Sequence, residues 1–169
     1  MTGKQSINQG SAKGQSNDKV VDVLNNLIET LRDGQKGFQE AAEGIKDPSI
    51  KALFQGYSRQ REQLCTELTS VVRRLGGEPE KSGHVAAALH RGWLNLKTAL
   101  TGNDEKAIID EAERGEDMAM AAFRDALKEN LPMDVRSTIE RAFTQVKDAH
   151  ERVRTLKHSR EGHTTQARA

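Results

Sequence analysis

Apolar residues return every three or four positions through most of this chain, and no period-two alternation persists, so the pattern predicts helices and no strands. One stripe runs through Val20, Leu24, Leu27, Leu31, Phe38, Ala42 and Ile45 on a helix that Asn17 or Asp18 can cap. This helix should stop near Lys46, where Asp47-Pro48 restarts the chain as cap and first helical residue. A second stripe, Ile50, Leu53, Tyr57, Leu64, Leu68, Val71 and Leu75, runs until Gly76-Gly77 ends it. Residues 83–101 form a shorter amphipathic helix bearing Val85, Leu89, Trp93, Leu96 and Leu100. A third long helix begins at about Asp104 and ends at Leu131-Pro132. The last carries Val135, Ile139, Ala142, Val146, Ala149, Val153 and Leu156.

Residues 1–17 and 159–169 offer almost nothing apolar to bury and are expected to be disordered tails flanking one bundle over residues 18–158. The four long helices should each have about 27 residues and measure about 40 Å at 1.5 Å per residue. The two-residue break at Asp47-Pro48 makes the first two an antiparallel hairpin. By contrast, the link between the second and third is long enough to travel the length of the bundle, which makes those two parallel. The expectation is an all-α, ferritin-like up-down-down-up four-helix bundle with a helical crossover. The competing arrangement is an up-down-up-down bundle with the extra helix on its side.

The stretch IIDEAERGEDMAMAAF, residues 108–123, places several acids on one helix. Stepping 100° per residue puts Ile108, Ala112, Ala119, Phe123 and Ala126 on the inward stripe and Glu116 among them. Asp110 and Asp117 point outward, and Glu111 and Glu113 lie on opposite flanks. A carboxylate facing a core must pair or lose its charge. The other long helices each place one polar residue inward as well: Gln35, Arg61 and His150. With the second and third helices parallel, Arg61 and Glu116 fall at nearly equal height, so a buried polar layer of Gln35, Arg61, Glu116 and His150 is expected, built on an Arg61–Glu116 pair. Gly34 and Gly115 beside it would make room for the guanidinium. The alternative has Arg61 reaching out of the bundle edge and Glu116 hydrated.

Composition narrows the functional classes. With 26 basic and 25 acidic residues there is no overall field to attract nucleic acid or an anionic membrane. Every apolar stretch is broken by charge well short of the roughly 20 residues that cross a bilayer. Cys65 is the only cysteine and the start MTGKQSINQGSAKGQSN lacks a signal-peptide apolar run, so a reduced, cytoplasmic setting is expected. Cys65, at the edge of its stripe, reads as an inert half-buried thiol.

A di-iron bundle needs a Glu from each of two helices and a Glu-x-x-His from each of the other two, all facing inward. Here Lys147 stands three residues before His150, and the second helix offers Glu62-x-x-Cys65 with Glu62 outward. Arg61 adds a permanent cation at the centre. No cofactor is favoured. If iron or another divalent metal bound, Glu113, Glu116 and His150 would be the ligands. His84 and His90 read as surface or capping residues, and Trp93 as the side chain that docks the crossover.

The stretches DGQKGFQEAAEGIKDPSIKALF, LGGEPEKSGHVAAALHRGWLNLKTALTG, DEAERGED and LPMDVRSTIERAFTQVKDAHERVRTL resemble a bacterial ferritin-like four-helix-bundle family, domain of unknown function 2383. The resemblance implies the ferritin-like bundle and no established activity, so no catalytic residues are carried over. Three functions are then to be weighed. The first is a non-enzymatic cytoplasmic bundle in a binding or stress-related role, as a homodimer or with an unknown protein partner, its di-iron site replaced by the buried pair. The second is a divergent iron-oxidising or iron-storing protein using Glu113, Glu116 and His150. The third is an adaptor presenting His90 and Arg91 as an interaction surface.

Overall fold

The computed structural model describes residues 9–81 and 93–166, and the regular elements among them are all α-helices. These are α1 (Gln9–Gly44), α2 (Pro48–Arg74), α3 (Leu96–Thr101), α4 (Glu105–Ala126) and α5 (Met133–Gln166). Asp47 caps α2 as its sequence implies: Oδ1 accepts from the amides of Ser49 and Ile50 at 2.9 and 3.3 Å, with Pro48 in the first turn. Asp104 caps α4 in the same way through the amide of Ala107. Gly76, at φ +77°, takes the left-handed conformation that ends α2.

Helix ends fix the topology. The amide of Lys46, just past α1, donates to Glu105 at the start of α4, and Arg160 near the end of α5 reaches both Glu105 and Asp47. The starts of α2 and α4 therefore lie at one end of the bundle and run parallel, while α1 and α5 arrive there. The pairs α1/α2, α1/α4, α4/α5 and α2/α5 are neighbours, leaving α2 and α4 on a diagonal. This is the up-down-down-up bundle, and the up-down-up-down alternative is excluded.

The crossover climbs along α1. Asn25 accepts from the Glu80 amide and donates to the Glu78 carbonyl, Trp93 lies at the level of Gly37, and Leu100 packs at Gly44.

Several expectations are corrected. The helix α1 begins at Gln9, with no start at Asn17 or Asp18, and α5 continues to Gln166 past residue 159. Neither extension contains a proline, so a helix can outrun its apolar stripe. The helix α4 stops at Ala126, short of Leu131-Pro132, because Arg136 donates to the carbonyls of Leu127 and Glu129 and so satisfies backbone acceptors of the unwound turn. Trp93 precedes a helix that starts only at Leu96. The rest of the expected 83–101 helix, with Val85, Leu89, His84 and the proposed surface residues His90 and Arg91, lies outside the described residues. Among the described residues no helix is long and apolar enough to cross a membrane.

The core is not continuous along the bundle. One apolar cluster holds Leu24, Leu31, Leu68, Phe123 and Val146 with their neighbours, and a second, towards the Asp47 end, holds Phe38, Phe54, Trp93, Ile108 and Val153. Gly34, Gln35, Arg61, Gly115, Glu116 and His150 occupy the sequence gaps between the two.

Candidate functional site at the bundle centre

The gap between the clusters is bridged by one ion pair. Arg61 on α2 donates through Nη2 to Glu116 Oε2 on α4 at 2.6 Å, and each side chain is 1% exposed. The Nη1 group donates to Gln60 Oε1 at 2.7 Å, and the guanidinium carbon lies 5.8 Å from the centroid of the Phe38 ring, within cation–π range. Burial pushes the Glu116 carboxyl above its ordinary value, against the opposing pull of Arg61. The Tyr57 phenol, half-buried against Phe38, is raised by burial and secondarily by the Glu116 charge.

The other two residues of the expected layer stand at the same level without joining the pair. His150 is buried, and its Nε2 meets Asp117 Oδ1 at the bundle surface at 2.7 Å. Gln35 is half-buried, and its backbone carbonyl accepts from Ser58 Oγ at 2.9 Å. The layer is thus two polar pairs, Arg61–Glu116 inside and His150–Asp117 at its edge.

The conditional metal set is not assembled. Glu116 is bound to Arg61, Glu113 to Lys157 at 2.5 Å, and His150 to Asp117. Three would-be ligands on two helices thus have three separate partners, two of them cations. Among the described residues no group of three or more His, Cys, Asp or Glu could hold a metal ion. The donor set does not fit a di-iron centre, since a guanidinium that stays charged is bound to Glu116 and Lys157 to Glu113.

The glycine assignment also changes. An added Cβ at Gly34 would sit 3.5 Å from the Arg61 side chain, an ordinary contact. At Gly115 it would overlap the Trp93 indole, and so would one at Gly37, a position the sequence did not single out. Trp93 is wedged between two helix backbones and meets Phe38 edge-on at 5.3 Å. Behind it, Glu111, 7% exposed, accepts from the Asn95 amide and from Asn95 Nδ2, each at 3.1 Å, and from Arg114 at 2.8 Å. Glu111 is therefore a structural anchor of the crossover. Cys65 is half-buried and Glu62 is exposed.

A search of curated proteins gives no match. Among solved structures the chain is similar to a two-domain protein from Anabaena variabilis ATCC 29413 containing DJ-1/ThiJ/PfpI-like and ferritin-like domains. The identity is 20% and the TM-score 0.69, over 85% of this chain and 40% of that one. At that identity the likeness speaks to fold, and this chain spans less than half of that protein. The family profile described as Domain of unknown function (DUF2383) matches residues 19–129, more than half of the chain. With a bundle of this topology and a match of this extent, the chain belongs to the DUF2383 family, and its fold is ferritin-like.

Proposed function

We propose that this chain works as a non-enzymatic, cytoplasmic ferritin-like bundle in a binding or stress-related role, with a fixed ion pair where metal-carrying bundles of this architecture keep a di-iron centre. Arg61 carries the reading. Its guanidinium stays charged at any physiological pH, is enclosed by protein, and engages Glu116, the most deeply buried carboxylate of α4. A cation in that position repels a second cation and uses the charge that would hold it. The ferritin-like domain of the Anabaena protein shares its chain with a second domain, which supports a bundle that acts beside a partner.

Titration of the purified full chain with ferrous iron tests this. Calorimetry should find no stoichiometric site that depends on Glu116, and iron oxidation should run at the rate of buffer alone. About two tightly held irons per chain, lost in Glu116→Ala, would overturn the reading.

A further inference from the structure

The described residues fill the groove between α1 and α4 along only part of its length. Towards the Asp47 end it receives the crossover, with Trp93 set between Gly37 and Gly115 and with Leu100 and Ile108 both packed against Gly44. Towards the opposite end, two open cavities of about 680 and 280 Å³ follow one another and share Val23 and Glu129. Their floor includes Val23, Leu27, Ala122 and Ala126, about one helical turn on each side, or roughly 6 Å. Their edges carry Asp18, Asp22, Asp125 and Glu129 against a single base, Lys19. Among the described residues only Asp125 of these four carboxylates is in an ion pair, with Lys128 at 2.6 Å, and Arg136 bonds the backbone carbonyl of Glu129.

We propose that this half of the groove docks a short amphipathic helix of a partner protein, apolar on the inserted side and bearing lysine or arginine on its flanks. Two observations select that occupant. The adjoining half of the same groove already accepts a helical segment through Leu96, Ala99 and Leu100, so a second helix would continue an interface the fold has built. The acids are also local: the whole chain carries a formal charge of only +1, yet here four carboxylates stand against two lysines, Lys19 and the Lys128 that pairs with Asp125. An apolar guest would leave those carboxylates desolvated and unpaired, and an anionic surface would be repelled, whereas a basic flank answers them. Small residues on the α4 side, Ala122 and Ala126, let a guest backbone come close.

The inference rests on the proposed binding role and names its partner class. The iron titration does not involve this groove and the following assay does not involve iron, so the two readings fail separately. The probe is a fluorescein-labelled 14-residue peptide with leucines at helical spacing and lysines elsewhere, followed by anisotropy with the full chain at low salt. A peptide with glutamates in place of the lysines is the control. The lysine peptide should bind and weaken with added salt, the glutamate peptide should not bind, and Asp22→Lys/Glu129→Lys should lose about tenfold or more in affinity. Both substituted positions are exposed, so circular dichroism should match the parent. Methyl shifts on binding should fall at Val23 and Leu27 and spare Val153. Three outcomes would overturn the proposal: charge reversal without effect, methyl shifts elsewhere, or a dimer in sedimentation that closes the groove to peptide.

Discussion

Arg61 and Glu116 meet across the bundle diagonal, each almost wholly withdrawn from solvent, with 2.6 Å between Nη2 and Oε2. The backbones of these two helices do not approach closely, and the long Arg61 side chain spans the diagonal between them. Burying both charges costs several kcal/mol per ion before their attraction is counted. The upward displacement of the Glu116 carboxyl carries the same message, since burial acts more strongly on it than Arg61 does.

Removing one member of this pair should therefore cost much more than removing both. Arg61→Ala or Glu116→Ala should lose about 3–5 kcal/mol in denaturant unfolding, while Arg61→Met/Glu116→Leu should fall within about 1 kcal/mol of the parent. Equal and small losses in all three would mean that the pair is solvated in solution.

Glycine positions give opposite signs for the same substitution. Gly56 on α2 has open space around an added Cβ, so Gly56→Ala should stabilise by about 1 kcal/mol. Gly115→Ala must displace the indole of Trp93 and should destabilise by about 1–3 kcal/mol despite the helix gain. Trp93 is the only tryptophan, so emission should shift to the red in Gly115→Ala and stay unchanged in Gly56→Ala.

Glu111 tethers the crossover through Asn95. Replacing it with alanine leaves the Asn95 amide without that acceptor and should loosen this segment by about 1–3 kcal/mol. Iodide quenching of Trp93 should rise sharply while helix content by circular dichroism stays near that of the parent. Unchanged quenching would remove Glu111 from this role.

At the bundle end, Glu105 is held below its ordinary value of 4.5 by the hydrogen bond from Arg160 and by the Lys46 amide. A depressed carboxyl stabilises the fold above its unfolded value, and that contribution is lost as pH falls through its lower folded value. Glu105→Gln should thus cost about 1 kcal/mol near neutrality, and its deficit should shrink steadily below pH 4.5 in urea midpoints. A deficit independent of pH would deny the linkage.

Much of this arrangement could be read in the chain itself. Val20, Leu24, Leu27 and Leu31 are all buried as their spacing implies, and the caps Asp47 and Asp104 set the origins from which Arg61 and Glu116 count to one height. Where the reading failed, the missing quantity was usually the placement of one segment against another. Gly115 precedes Glu116 and so looked like a neighbour of the pair, yet a 100° step turns it towards the crossover and Trp93. Glu111 lay on a flank of its own helix, and only the axial position of the crossover brings Asn95 to it. On α2 the spacing favoured Leu53, but Phe54 is the residue fully enclosed, because the hairpin rotates that face towards Phe38. The reach of α1 and α5 beyond their stripes left no apolar mark.

A bundle whose interior were oily from end to end could slide one helix past its neighbours by a turn, about 5.4 Å, and still bury similar surface. Here such a slip would set the guanidinium of Arg61 against leucine and phenylalanine and leave Glu116 without its counter-charge. The ionic rung is a vernier mark: it sets α2 and α4 at a single axial alignment across the bundle.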